Sequence, residues 1–193
     1  VSESRGLGDV YKRQIFNMLS HFMGNNPLVQ FILQPILIAG VLFHFVMGFV
    51  LEWQNRKARP VTYAMYKGSR NSMFVSRNMI ISGIVILSFL VLHFYDFWVP
   101  EMDYKYIQVK PEDPDRYYEE LIHKFESPIR VSLYCLSFIF LGLHLVHGLS
   151  SSTQSLGTNN KYASTIQKIS YAFGIGIPLG FCFIALYHFF IHL

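Results

Sequence analysis

The run VSLYCLSFIFLGLHLVHGL, Val131 to Leu149, contains no Asp, Glu, Lys or Arg, yet carries the histidines His144 and His147. A hydrocarbon core of ~30 Å takes about 20 apolar residues in an α-helix. A helix on the surface of a soluble protein would show a continuous polar stripe, and the few serines and histidines here do not make one. Three further windows read the same way: Phe31–Leu51, Met79–Val99 and Ile169–Phe190. With 52% apolar, 17% aromatic and only 15% charged residues, and a mean hydropathy of +0.31, they place the chain among membrane proteins. The expected fold class is all-α, a transmembrane helical bundle.

The charges lie between these windows and set an orientation. From Trp53 to Arg77 there is no acid, while Arg56, Lys57, Arg59, Lys67, Arg70 and Arg77 are all basic. From Pro100 to Ser127 the balance reverses, with Glu101, Asp103, Glu112, Asp113, Asp115, Glu119, Glu120 and Glu126 against four basic residues. The last connection carries Lys161, with Lys168 just beyond, and no acid. Lys and Arg gather on the cytoplasmic side, so the first and third windows are expected to run inward and the second and fourth outward. Trp53 and Trp98 sit at helix ends, where aromatic belts form. The net charge of +4 is explained by this topology and not by a nucleic-acid face. Ser76 and Ser127-Pro128 read as helix starts and Gly157 as a stop. Cys135 and Cys182 have no CxxC spacing and read as small apolar residues.

Val1–Gln14 is hydrophilic, without the apolar core of a signal peptide. It reads as a leader, either non-native or a disordered tail, and Ile15–Asn26 as a short connecting stretch. Residues 15–193 then form one membrane domain.

An imidazole inside hydrocarbon is costly without a partner, which makes an intramembrane histidine a functional candidate. His44 lies eight residues before Glu52 and His144 six before Ser150, both at inner ends. At ~1.5 Å per residue each sits about 9–12 Å below the same surface. His93, seven residues before Pro100, sits at a similar depth from the opposite side. Depth therefore pairs His44 with His144, as axial ligands to one haem iron, and leaves only His188 to face His93. Gly40, Gly48 and Gly148 share faces with the paired histidines, giving either close approach of a flat macrocycle or helix packing. Gly176 and Gly180, with no adjacent histidine, read as packing glycines, and Pro178 as a kink. His147 reads as facing another helix, in preference to a propionate. His188 and His192 read as interfacial, and His21 and His123 need no special role.

Taken in order, the motifs resemble a known family. They are His21-Phe-Met-Gly-Asn-Asn-Pro-Leu28, Leu42-Phe-His-Phe-Val-Met-Gly48, Gln54-Asn-Arg-Lys-Ala-Arg-Pro60, Ser76-Arg-Asn-Met79, Leu92-His-Phe-Tyr-Asp-Phe-Trp98 and Gly142-Leu-His-Leu-Val-His-Gly148, with Gln154 and Gly157. The stretch resembles the cytochrome b membrane-anchor subunit of bacterial succinate dehydrogenase and fumarate reductase, the single-polypeptide type with two haems. The resemblance implies a five-helix bundle, of which this chain shows four spanning helices and lacks the first. It also implies that His44 and His144 hold the proximal haem b, and that His93 holds the distal one with a partner on the missing helix. One complete haem site is therefore expected here. The implied partners are a flavoprotein subunit and an iron–sulfur subunit on the cytoplasmic face of a bacterial inner membrane, with menaquinone as the exchanging quinone. The chain itself would be no enzyme. Arg77 is the propionate candidate. Tyr95 and Asp96 would serve a quinone or proton, or Asp96 would be a solvated interface carboxylate. The competing expectations are a cytochrome b of a hydrogenase or formate enzyme, and a haem-free scaffold or transporter.

Overall fold

A computed structural model describes residues 2–58, 79–155, 157 and 162–191. Arg59, Lys67, Arg70, Ser76, Arg77, Lys161 and His192 lie outside the described residues. Six helices follow in chain order: α1 (Ser2–Asn25), α2 (Val29–Lys57), α3 (Met79–Ile107), α4 (Arg116–Phe125), α5 (Pro128–Ser155) and α6 (Ala163–Ile191). Among the described residues there is no strand. α2, α3, α5 and α6 are each long and apolar enough to cross a membrane, so the protein is an all-α transmembrane helical bundle.

The helix starts follow local chemistry. The Asn26 side chain accepts hydrogen bonds from the Leu28 and Val29 N–H groups (2.9 and 3.4 Å). With Pro27 just after it, this is a capped, proline-led start to α2. Ser127 caps α5 through its hydroxyl, 3.4 Å from the Arg130 N–H, with Pro128 in the first position. Gly157 stops α5 with φ +70°, a conformation that costs glycine nothing.

Pro100 does not end α3. The helix continues to Ile107 through π-helical turns at Phe94–Trp98 and Asp103–Ile107. In a regular α-helix the Pro100 ring would strike the carbonyl of Asp96. The wider π turn that contains Asp96 absorbs that conflict. α2 repeats the device, its π turn Val29–Leu33 preceding Pro35. His93 consequently stands midway along α3, not near its outer end. The stretch 15–26 is likewise not a plain connection: Ser2–Asn25 is one helix.

α5 and α6 form the most extensive pair, α3 packs on α5, and α2 touches α3 only lightly. Membrane helices associate through close contact of small residues, and here those are Gly142 and Gly174. A Cβ on Gly142 would lie 3.1 Å from the Gly174 carbonyl oxygen, and one on Gly174 only 2.8 Å from the Val146 backbone nitrogen. Gly176 and Gly180 meet nothing within 4 Å, so the packing role expected of them belongs to Gly142 and Gly174. α6 runs on through Pro178, whose ring lies against Gly142. Gly174→Ala should force α5 and α6 apart and lower stability by about 1–3 kcal/mol. Gly176→Ala should be neutral or stabilising, and unfolding in mixed detergent micelles compares the two.

At the acidic end, α1 and α4 close the bundle. Asn17, buried, donates to Asp115 (3.3 Å) and accepts from the Tyr118 N–H (2.9 Å). Leu121 and Phe125 of α4 join Val131, Tyr134, Phe138 and Ala185 in one core cluster. Glu101 gathers the Tyr117 hydroxyl (2.8 Å), the Lys105 ammonium (2.6 Å) and the Arg116 guanidinium, and Lys105 also donates to the Gly24 carbonyl (2.6 Å). The knot ties α1, α3 and α4 together. Burial, helped by the hydrogen bond to Glu101, pushes the Tyr117 phenol up to about 12. The folded state holds this proton more tightly than an unfolded chain, where the phenol titrates near 10.0. Its stabilisation is therefore whole below that value and is lost as pH rises through about 12. In an alkaline absorbance titration Tyr117→Phe should delete a late phenolate phase, well above the ordinary tyrosine range; loss of an early phase would show that Tyr117 is not protected.

Candidate functional site

Three spanning helices converge on one pair of imidazoles. The rings of His44 on α2 and His144 on α5 lie 6.0 Å apart, centre to centre, with their planes at 82°. α3 contributes Ser82, whose hydroxyl oxygen is 3.0 Å from His144 Nδ1. That hydroxyl donates its proton to the Met79 carbonyl (2.8 Å), so its lone pairs face the ring. The arrangement suits a His144 tautomer with Nδ1–H donating to Ser82, which leaves the Nε2 lone pair available to a metal. A Cβ on Gly83 would stand 4.0 Å from His144 Cε1, and one on Gly148 would stand 3.6 Å from the Met79 side chain. Gly40 and Gly48 face open space on either side of His44.

Burial sharpens the case for a ligand. His144 is half-buried, but His44 is exposed on a helix with no buried residue in its α-helical part. In hydrocarbon an exposed imidazole is costly, and the cost falls when a group occupies the space between the two rings. Two imidazoles bonded to one metal from opposite sides, at about 2.0 Å each, place their ring centres roughly 6 Å apart. Each ring can turn about its own metal bond, so crossed planes are compatible. At this spacing, on two separate helices, His44 and His144 are the residues that would hold a haem. Among the described residues no group of three or more His, Cys, Asp or Glu side chains could hold a bare metal ion.

The remaining candidates are placed differently. The His93 ring stacks on Phe89 (5.8 Å) and neighbours Phe97 (5.2 Å) and Tyr134 (6.5 Å); no imidazole is among these contacts. His188, the alternative partner by depth, lies against Tyr118 (5.7 Å) and Tyr187 (5.4 Å). Tyr95 and Asp96 do not form one site: Tyr95 is 65% exposed, whereas Asp96 is 1% exposed. Asp96 is not a solvated interface carboxylate. Its Oδ2 accepts from Arg130 Nε (3.0 Å) and from the Tyr134 hydroxyl (3.0 Å). Sequence reasoning missed this partnership, although Arg130 and Tyr134 stand four apart on one face of α5. It missed Ser82 as well, for which no spacing signal exists.

Two of the clefts among the described residues lie between spanning helices. One, of about 440 Å³, runs between α5 and α6 past His147. The other, of about 530 Å³, lies between the acidic ends of α2 and α3, with Gln30, Gln34, Trp98 and Tyr106 in its walls.

Compared with known proteins, the chain matches no family model, no curated protein and no solved structure. The fold and the site define a multi-pass helical membrane protein that brings two histidines together from separate spanning helices.

Proposed function

We propose that the protein is the cytochrome b membrane-anchor subunit of a bacterial succinate:quinone oxidoreductase, a succinate dehydrogenase or fumarate reductase. The observation that carries the haem part of this reading is the His44–His144 pair, 6.0 Å apart with Ser82 on the outer nitrogen of one ring. His44 and His144 would hold haem b, which when bound supplies one-electron transfer within the membrane. Ser82 fixes the His144 ring and its tautomer. Arg56 and Lys57, at the basic end of α2, would face the iron–sulfur subunit, with the flavoprotein beyond it. His93 would ligate the second haem of that family, and Arg77 would neutralise a propionate. Electrons would pass to or from a membrane quinone, menaquinone by the motif resemblance. The dicarboxylate chemistry belongs to the partner subunits.

A reduced-minus-oxidised optical spectrum of the purified protein tests the haem reading. A sharp reduced α-band is expected, and its absence in protein expressed with ample haem would overturn the proposal. Co-purification with a flavoprotein and an iron–sulfur protein selects the succinate enzyme over a hydrogenase or formate enzyme. Orientation has its own test. A reporter fused within residues 62–71 should read cytoplasmic and one within 110–119 external; the opposite pattern would place the histidine pair on the wrong side for an iron–sulfur partner.

A further inference from the structure

The chain has two cysteines, Cys135 on α5 and Cys182 on α6, and both are half-buried free thiols. The two helices run antiparallel and meet along a seam of regular spacing. A Cβ on Gly142 would lie 3.1 Å from the Gly174 carbonyl oxygen and 3.5 Å from the Pro178 ring. Seven residues back from Gly142 along α5, and four on from Pro178 along α6, the same seam brings Cys135 to Cys182. The Cys182 thiol donates towards the Cys135 carbonyl oxygen, 3.8 Å away, and the two thiols interact with one another. Both side chains pack against the apolar core cluster. A disulfide needs Cα atoms about 4.4–6.8 Å apart, and the glycine contact two turns away holds the backbones in the close approach that such a bond requires.

We infer that Cys135 and Cys182 are a redox modification site, which an apolar organic hydroperoxide oxidises to a disulfide that staples α5 to α6. Cys182 lines the apolar cleft between these helices and Cys135 is not among its walls, so Cys182 is the sulfur that an oxidant reaches first. A lone pair of the Cys182 sulfur attacks the terminal oxygen of the hydroperoxide. The O–O bond breaks and the thiol proton passes to the departing oxygen, leaving a sulfenic acid on Cys182 and an alcohol. The Cys135 sulfur then attacks the Cys182 sulfur. The S–O bond breaks, and the hydroxyl leaves as water with the Cys135 proton. The two thiols together lose two electrons, and the peroxide bond takes them. Every species is neutral, which suits hydrocarbon, where ions are costly. Reversal is harder. Thiol reductants act as thiolates, and a charged, water-soluble one such as glutathione stays out of the membrane core. Cys135 lies seven residues from Pro128, about 10 Å in from the acidic end of α5. The cross-link is therefore a lasting record of peroxidation around the bundle, and it does not rest on the haem reading.

The test treats the intact protein in lipid nanodiscs with cumene hydroperoxide, then counts thiols in SDS with a maleimide-polyethylene glycol. Both cysteines should form adducts before treatment and neither after it, and mass spectrometry should find the Cys135 and Cys182 peptides linked. Hydrogen peroxide at the same concentration should cross-link the pair several-fold more slowly, because it partitions poorly into hydrocarbon. Glutathione added to the oxidised nanodiscs should recover no thiol, whereas dithiothreitol in SDS should recover both. In Cys135→Ala the remaining Cys182 should be trapped by dimedone as its sulfenic acid, while in Cys182→Ala the remaining Cys135 should stay unlabelled. Free thiols after treatment, disulfides only between separate chains, or oxidation to sulfinic acid without a link would overturn the inference. Equal dimedone labelling of the two variants would overturn the order of attack, and ready reduction by glutathione in the nanodisc would overturn the shielding by the membrane.

Discussion

Replacing either His44 or His144 by leucine is expected to remove the same haem, with an affinity loss at that site of at least tenfold. The estimate is a floor, because losing even a group that merely orients a metal ligand costs about 10–100-fold in metal affinity. The two rings are 6.0 Å apart on separate helices. Removing either would leave a single histidine to hold the group, beside the open space at Gly40 and Gly48. Ser82→Ala should be milder. It removes the hydrogen bond to His144 Nδ1 without touching a ligand, so haem should remain bound more weakly and with a changed potential. Haem per polypeptide, the α-band position and a redox titration on the three variants decide the matter. If the two histidine substitutions eliminate spectrally different haems, the pair does not share an iron.

What could be read from the sequence divides along a physical line. The four spans were legible because hydrocarbon imposes a length and an apolarity that no packing detail overrides, and the structure has all four. The capped start at Ser127 and the stop at Gly157 were legible too, being local chemistry carried by one to three residues; the cap at Asn26 was not singled out. The pairing of His44 with His144 was reached by counting along each helix from its basic end, and the two rings do meet. Counting failed for His93, because the π turn at Phe94–Trp98 lets α3 run past Pro100. A hydrogen-bond register is not visible in composition. Contacts between helices were the least legible of all. Gly176 and Gly180 look like packing residues in their own helix, yet the rotation of α6 turns Gly174 to Val146 instead. Ser82 and Arg130 gain their roles only from what another helix presents to them.

Arg130→Met is expected to destabilise the fold more than any other single change at the acidic end, by about 3–5 kcal/mol. The Asp96 side chain has no exposed surface, whereas that of Arg130 is 29% exposed. Deleting the cation strands a carboxylate in hydrocarbon, with only the Tyr134 hydroxyl left to it. Its other oxygen, Oδ1, already has no hydrogen-bond partner among the described residues. Deleting the anion is gentler, because a partly exposed guanidinium can extend towards the membrane surface on its flexible stem. Asp96→Asn should therefore cost clearly less than Arg130→Met, since the amide oxygen still accepts from Tyr134. Asp96→Leu combined with Arg130→Met removes both charges but orphans the Tyr134 hydroxyl, and adding Tyr134→Phe should recover most of the remaining loss. Replacing a buried ion pair by apolar groups of similar volume is often neutral or stabilising, and hydrocarbon on the outside of the bundle strengthens that tendency. The order of unfolding free energies in mixed micelles, lowest for Arg130→Met and nearest wild type for the triple variant, is the decisive observation. Equal losses from Arg130→Met and Asp96→Asn would mean that the carboxylate is not desolvated, and that the π turn at Phe94–Trp98 does not carry Asp96 into the protein interior.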